Sequence, residues 1–90
     1  MLIISYDLSD DKVRTRFAKY LKKWGRRLQF SVYEIKNSQR ILNLCILEIE
    51  NTYAPQFTKK DSVIIFDLDK KKVYRYGYAA NEETDLLIFE

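Results

Sequence analysis

The stretch IISYDLSDDKVRTRFAKYLKKWG, residues 3–25, begins extended and ends helical. Leu2–Ile4 with Ser5 and Tyr6 is a short apolar run of the kind that forms a buried strand, and Asp7 ends it. Ser9, Asp10 and Asp11 then supply a capping side chain and negative charge for the positive end of a helix dipole. Val13, Phe17, Tyr20, Leu21 and Trp24 recur at helical spacing and mark one apolar face. Basic residues fill the other faces, and Gly25 is a natural stop.

Downstream, RRLQFSVYEIK (residues 26–36) reads as extended chain. Leu28, Phe30 and Val32 alternate, and then Tyr33 and Ile35 take over the apolar phase. A slip of one residue exchanges the two faces of a strand, so a bulge, a bend or a tight hairpin is expected near Ser31–Val32. Asn37–Ser38 offers the cap of a second helix whose buried face is Ile41, Leu42, Cys45, Ile46 and Ile49, although LCILEIE (44–50) also fits a strand. Pro55 belongs to a loop, Val63–Phe66 to a central strand, Asp67–Lys72 to a polar turn and Val73–Tyr76 to another strand. Leu86–Phe89, within residues 81–90, suits a C-terminal edge strand or docking segment.

Strand, helix, strand or hairpin, helix and two strands fit a single α+β ferredoxin-like domain over residues 1–90, with two helices on one face of an antiparallel sheet. The other face has no helix to cover it. Tyr6, Phe30, Tyr33, Phe66, Tyr74 and Tyr76 are the large residues available for that face. An uncovered, partly apolar face of a chain of 90 residues predicts a homodimer packed sheet to sheet.

Composition narrows the chemistry. No apolar run is long enough to span a membrane, and the first residues lack the basic region of a signal peptide. The single cysteine, Cys45, allows no internal disulfide, and the absence of histidine removes the usual zinc sites. A reducing, cytoplasmic setting is expected. The net charge of +3 is modest but unevenly spread. Residues 12–27 hold eight bases (Lys12, Arg14, Arg16, Lys19, Lys22, Lys23, Arg26, Arg27) and no acid. A solubilising surface mixes both signs, so this concentration points to a polyanion.

In order, IISYDLSDDKVRTRFAKYLKKWG, RRLQFSVYEIK, the helix from Ser38 and KKDSVIIFDL (59–68) resemble the CRISPR-associated small endoribonuclease family, the integrase-partner protein of spacer acquisition. The resemblance implies a ferredoxin-like homodimer, flanked by CRISPR integrase dimers, with double-stranded prespacer DNA bound across it. Some members are described as endoribonucleases or double-stranded deoxyribonucleases that need magnesium or manganese; others act as scaffolds. Binding of DNA as a scaffold is the expectation here, with metal-dependent cleavage of DNA or RNA as the alternative.

Asp7 matches the proposed metal ligand of that family, and a two-fold axis would bring two copies of it together. Magnesium accepts one or two carboxylates plus phosphate and water, so one residue per chain is chemically sufficient. A capping role for the following helix also suits Asp7. Asp10 and Asp11 read as cap and dipole residues. Tyr6, Ser31 and Tyr33 match a motif near the family's dimer centre. Arg14 and Arg16 match positions implicated in backbone contact, and the other six bases extend that surface. An RNA-recognition domain shares the element order, but its aromatic signature is absent and the bases lie mostly on a helix. Cys45 reads as a packing residue, and Tyr6 and Trp24 as core or interface residues.

Overall fold

The structure is a computed structural model that describes residues 1–78. Strand β1 (Leu2–Asp7) leads into helix α1 (Asp11–Lys22). Strands β2 (Gly25–Gln29) and β3 (Val32–Ile35) form a hairpin. Helix α2 (Gln39–Glu48) follows, and β4 (Ser62–Asp67) and β5 (Lys72–Gly77) complete one antiparallel sheet in the order β2-β3-β1-β4-β5. Both helices pack on one side of it, as the ferredoxin-like expectation requires.

Asp10 is the N-cap of α1: its carboxylate accepts from the amides of Lys12 and Val13 at 2.8 and 3.0 Å. That satisfies two of the donors a helix start leaves orphaned. The helix ends before Gly25, with Lys23 as its C-cap. Gly25 is instead the first residue of β2, where a Cβ would run into the backbone of Glu34 and Ile35, so the glycine answers a close strand approach rather than a helix stop. The phase slip read at residues 26–36 is both a hairpin and a bulge, because the β2–β3 register shifts between Arg27 and Gln29.

LCILEIE is helical. Ser38 caps α2, and past Glu48 a π-helical turn (Ile49–Tyr53) and a 3-10 turn (Ala54–Gln56) continue it, so Pro55 opens a helical turn instead of lying in a loop. The core is Leu2, Ile4, Phe17, Leu21, Tyr33, Ile35, Leu42, Cys45, Ile49, Val63 and Ile65, with Tyr6 and Tyr53 packed edge-on to Phe17 at 5.1 and 4.8 Å between ring centres. Burial pushes the Cys45 thiol up to about 11, consistent with a packing role.

The alternation of β1 corrects the expected distribution of aromatics. Ile4 is opposite Tyr33 and Ile65, and Ile65 is opposite Tyr74. Tyr6 is opposite Val63, which is opposite Tyr76. Paired residues share a face, so Tyr6, Tyr33, Tyr74 and Tyr76 all lie on the helix-covered side. Phe66 is on the open face, and Phe30 is in the β2–β3 turn. The open face therefore includes Ile3, Ser5, Val32, Glu34, Ile64, Phe66, Val73 and Arg75, all half-buried. Leu86–Phe89 and the rest of 79–90 lie outside the described residues. Among those described, no helix is long and apolar enough to cross a membrane.

Candidate nucleic-acid interface

Asp7 stands at the end of β1, exposed and opposite Ser62. The capping alternative for it does not hold, since Asp10 does that work. The other carboxylates near this end are occupied. Asp10 caps, Asp11 pairs with Arg14, and Asp61 is buried and takes bonds from Ser9 and Thr58. The Asp7 carboxylate has no hydrogen bond or ion pair among the described residues. No three His, Cys, Asp or Glu side chains gather to hold a metal ion among them. One free, hard carboxylate per chain fits a magnesium site only if phosphate or a second copy supplies further oxygens.

The eight bases of residues 12–27 separate into three groups, because the apolar stripe of α1 must face the sheet. Lys12, Arg16 and Lys19 border a shallow depression along the outer side of α1, with Asp11 at its end. Arg14, Lys19, Lys22 and Arg27 line a cleft between α1 and the β2–β3 turn, whose floor includes Tyr6 and Ser31. Lys22, Lys23 and Arg26 border a third hollow at the far end of the domain, joined there by Lys36. Lys36 escaped the sequence reading because Glu34 and the hairpin separate it from the basic run.

These cations differ in freedom. Arg14 is 36% exposed and already donates to the Leu8 carbonyl at 2.9 Å and to Asp11. Arg26 pairs with Glu34 at 3.4 Å, and Lys23 lies over the Tyr20 ring at 5.8 Å. Lys12, Arg16, Lys19, Lys22 and Arg27 are exposed and carry no ion pair among the described residues. Burial and the neighbouring Tyr33 push the Tyr6 phenol above its ordinary value, against the opposing pull of the Arg27 and Arg14 charges. Ser31 joins this group through its backbone, its carbonyl accepting from the Tyr6 amide at 3.1 Å. Trp24 packs against the core beside Tyr20.

The chain whose central strand ends in Asp7 and whose first helix carries the bases is matched over residues 1–76 by the family model for CRISPR associated protein Cas2. The chain belongs to the Cas2 family. The CRISPR-associated endoribonuclease Cas2 4 of Rhodospirillum rubrum is 40% identical over 47 residues, 52% of this chain, and the match spans only 38% of that relative's length. The CRISPR-associated endoribonuclease Cas2 3 of Thermodesulfovibrio yellowstonii is 32% identical over 74 residues, covering 82% of this chain and 80% of its own. Among solved structures, the hypothetical protein TT1823 from Thermus thermophilus superposes with a TM-score of 0.58 at 24% identity, over 92% of this chain and 85% of that one. That likeness is one of fold. Cas2 membership accords with the order of elements.

Proposed function

We propose that this Cas2-family chain serves spacer acquisition as a homodimer that binds double-stranded prespacer DNA and bridges integrase dimers. The observation that carries the reading is the opposition of two surfaces. Ile3, Val32, Ile64, Phe66 and Val73 form an apolar patch on the face that no helix among the described residues covers, while α1 presents its bases on the other side. Two copies joined through the apolar faces bury what one copy leaves half-exposed, and their basic helices extend one track beyond the length of a single domain. Such a track holds phosphates by charge and spacing and reads no base edges. Residues 81–90, acidic and then apolar, are the segment we assign to integrase docking.

A second reading has its own observation, the unpartnered Asp7. Paired across a two-fold axis, two such carboxylates would hold magnesium or manganese, which when bound activates water and steadies a leaving oxygen. Metal-dependent cleavage of DNA or RNA would then accompany the scaffold role, in line with the endoribonuclease names of the relatives.

The test is reconstitution. The chain, the integrase and a prespacer duplex are mixed and resolved by size. Co-migration of all three is expected, with integrase retention reduced by deletion of residues 81–90. A chain that stays monomeric and leaves the duplex free overturns the reading.

A further inference from the structure

Two half-buried charges stand on the open face of the sheet. Glu34 is on β3, opposite Ile3, and Arg75 is on β5, opposite Ile64. The Nε of Arg75 is shut off from water without a hydrogen-bond partner, and its guanidinium has no ion pair among the described residues. Glu34 spends one oxygen on Arg26 at 3.4 Å, and the Arg26 side chain is itself 78% exposed. A buried donor left unpaired is costly, so Arg75 calls for an acceptor that the described residues do not supply. In the order β2-β3-β1-β4-β5, three strand spacings, roughly 14 Å, separate β3 from β5. Glu34 and Arg75 therefore flank the apolar patch and do not meet within one copy.

A second copy closes that distance. A two-fold axis running along the strands, between β1 and β4, lays β3 over the partner's β5 and β1 over the partner's β4. Ile3 then covers the partner's Phe66, which shares its row of the sheet. The partner's Arg75 falls on the row of Val32, two residues along β3 from Glu34. That offset of about 7 Å is within the reach of an extended arginine. Apolar patches by themselves adhere without choosing a register or a partner, whereas opposite charges at their margins do both. We propose that each Glu34 carboxylate accepts from the partner's Arg75, twice around the axis, and that this exchange sets the register of the two faces and admits only a partner carrying both charges. The inference rests on the homodimer reading above and deepens it by naming the residues that choose the partner.

Charge exchange on the full chain tests it, read by sedimentation with circular dichroism as the check on folding. Glu34→Arg places two arginines against each other at each crossing, and Arg75→Glu places two glutamates there. Each variant alone should dimerise roughly tenfold more weakly than the parent, or worse. An equimolar mixture of the two should regain the parent's dimer, because a mixed pair restores an opposite charge at both crossings. Glu34→Gln and Arg75→Gln cover the case in which a reversed charge unfolds the chain. Each should weaken the dimer alike, and the double variant should be no weaker than either single one. A parent dimer whose reversed variants associate as tightly as it does, or stay apart when mixed although folded, overturns the pair and leaves the dimer reading standing. Additive losses in the glutamine variants do the same. A parent chain that sediments as a monomer overturns the dimer reading itself, and the pair with it.

Discussion

Ser9 and Asp61 are joined twice: the Ser9 amide and hydroxyl both donate to Oδ1 of Asp61, at 2.9 and 2.8 Å. The other carboxylate oxygen accepts from the Thr58 amide at 2.8 Å, and the Asp61 carbonyl accepts from Tyr78 at 2.8 Å. One residue thus fastens the loop after Asp7 to the entry of β4 and to the end of β5. Gly77 makes room for this, since its φ of 74° and its closeness to the Asp61 carbonyl exclude a side chain.

Asp61 is therefore expected to set the acid limit of the fold. Its burial by itself raises the pKa, but the bonds from Thr58 and Ser9 outweigh that and hold it below the ordinary carboxylate value. The folded carboxyl then binds a proton less readily than the unfolded one. Its contribution is present in full above about pH 5 and is lost as pH falls through the unfolded value near 4 towards the folded one. Asp61→Ala should cost about 2–3 kcal/mol at neutral pH, with a shallower loss of stability in acid. Urea unfolding across a pH series measures both, and an unchanged acid slope would remove Asp61 from this role.

Asp7 and Asp10 should separate cleanly. Asp10→Ala removes the helix cap and should cost about 1 kcal/mol. Asp7→Ala leaves the cap in place, so stability should be unchanged. Duplex binding should persist or tighten with the loss of a negative charge, and any magnesium-dependent cleavage should vanish. Thermal unfolding, a duplex-binding titration and a cleavage assay read the three. Normal cleavage by Asp7→Ala excludes that carboxylate from metal chemistry.

Arg14 and Arg16, two residues apart, should fail in different ways. Arg16 is exposed and without an ion pair among the described residues, so Arg16→Ala should make the slope of log K against log salt shallower by about 0.9, one phosphate's worth, for unrelated sequences alike. Arg14 ties the helix start to Leu8, so Arg14→Ala should instead lower stability by about 0.5–1 kcal/mol with a smaller effect on the slope. A sequence-specific loss in either variant would contradict contact through phosphates.

The open face predicts its own disruption. Ile64 and Phe66 sit on adjacent rows of it, and Ile64→Glu or Phe66→Arg should give a folded monomer where the parent chain is a dimer at tens of micromolar, as an interface of about 1,200–2,000 Å² provides. Sedimentation with circular dichroism distinguishes that outcome from unfolding. A parent chain that sediments as a monomer refutes the dimer outright.

The first strand and helix were legible because every local signal agreed: an apolar run, an acidic cap and one helical stripe from Val13 to Trp24. The second helix was ambiguous because Leu44–Glu50 is apolar enough for either period, and the burial of Ile41, Leu42, Cys45 and Ile49 at helical spacing decides it. The open face was misassigned through size. Tyr6 looks like an interface residue, but it neighbours Asp7, and adjacent residues of a strand cannot share a face. The smaller Ile3 and Ser5 belong with Asp7. At the candidate site, the eight bases were visible as a run, but their division into free and committed cations depends on Leu8, Asp11 and Glu34. The clamp of Asp61 on Ser9 joins residues 52 apart and leaves no local trace. In the sequence Phe30 is one more alternating apolar residue, and its exposure follows only from its place in the β2–β3 turn.

Strand β1 interleaves two messages: Leu2, Ile4 and Tyr6 are buried beneath the helices, while Ile3, Ser5 and Asp7 lie on the other side. Adding or removing a single residue before Asp7 would swap them, placing Tyr6 in solvent and a carboxylate in the core. Chain length here is consequently under tighter constraint than chemistry. Isoleucine, valine and leucine can trade places along β1, whereas the exposed connection Leu68–Lys71 can lengthen at the cost of surface contacts to Met1, Asn37 and Gln39. Divergence among relatives should therefore accumulate as insertions on the β4–β5 side and as conservative exchanges in β1, with the spacing of residues within β1 held fixed.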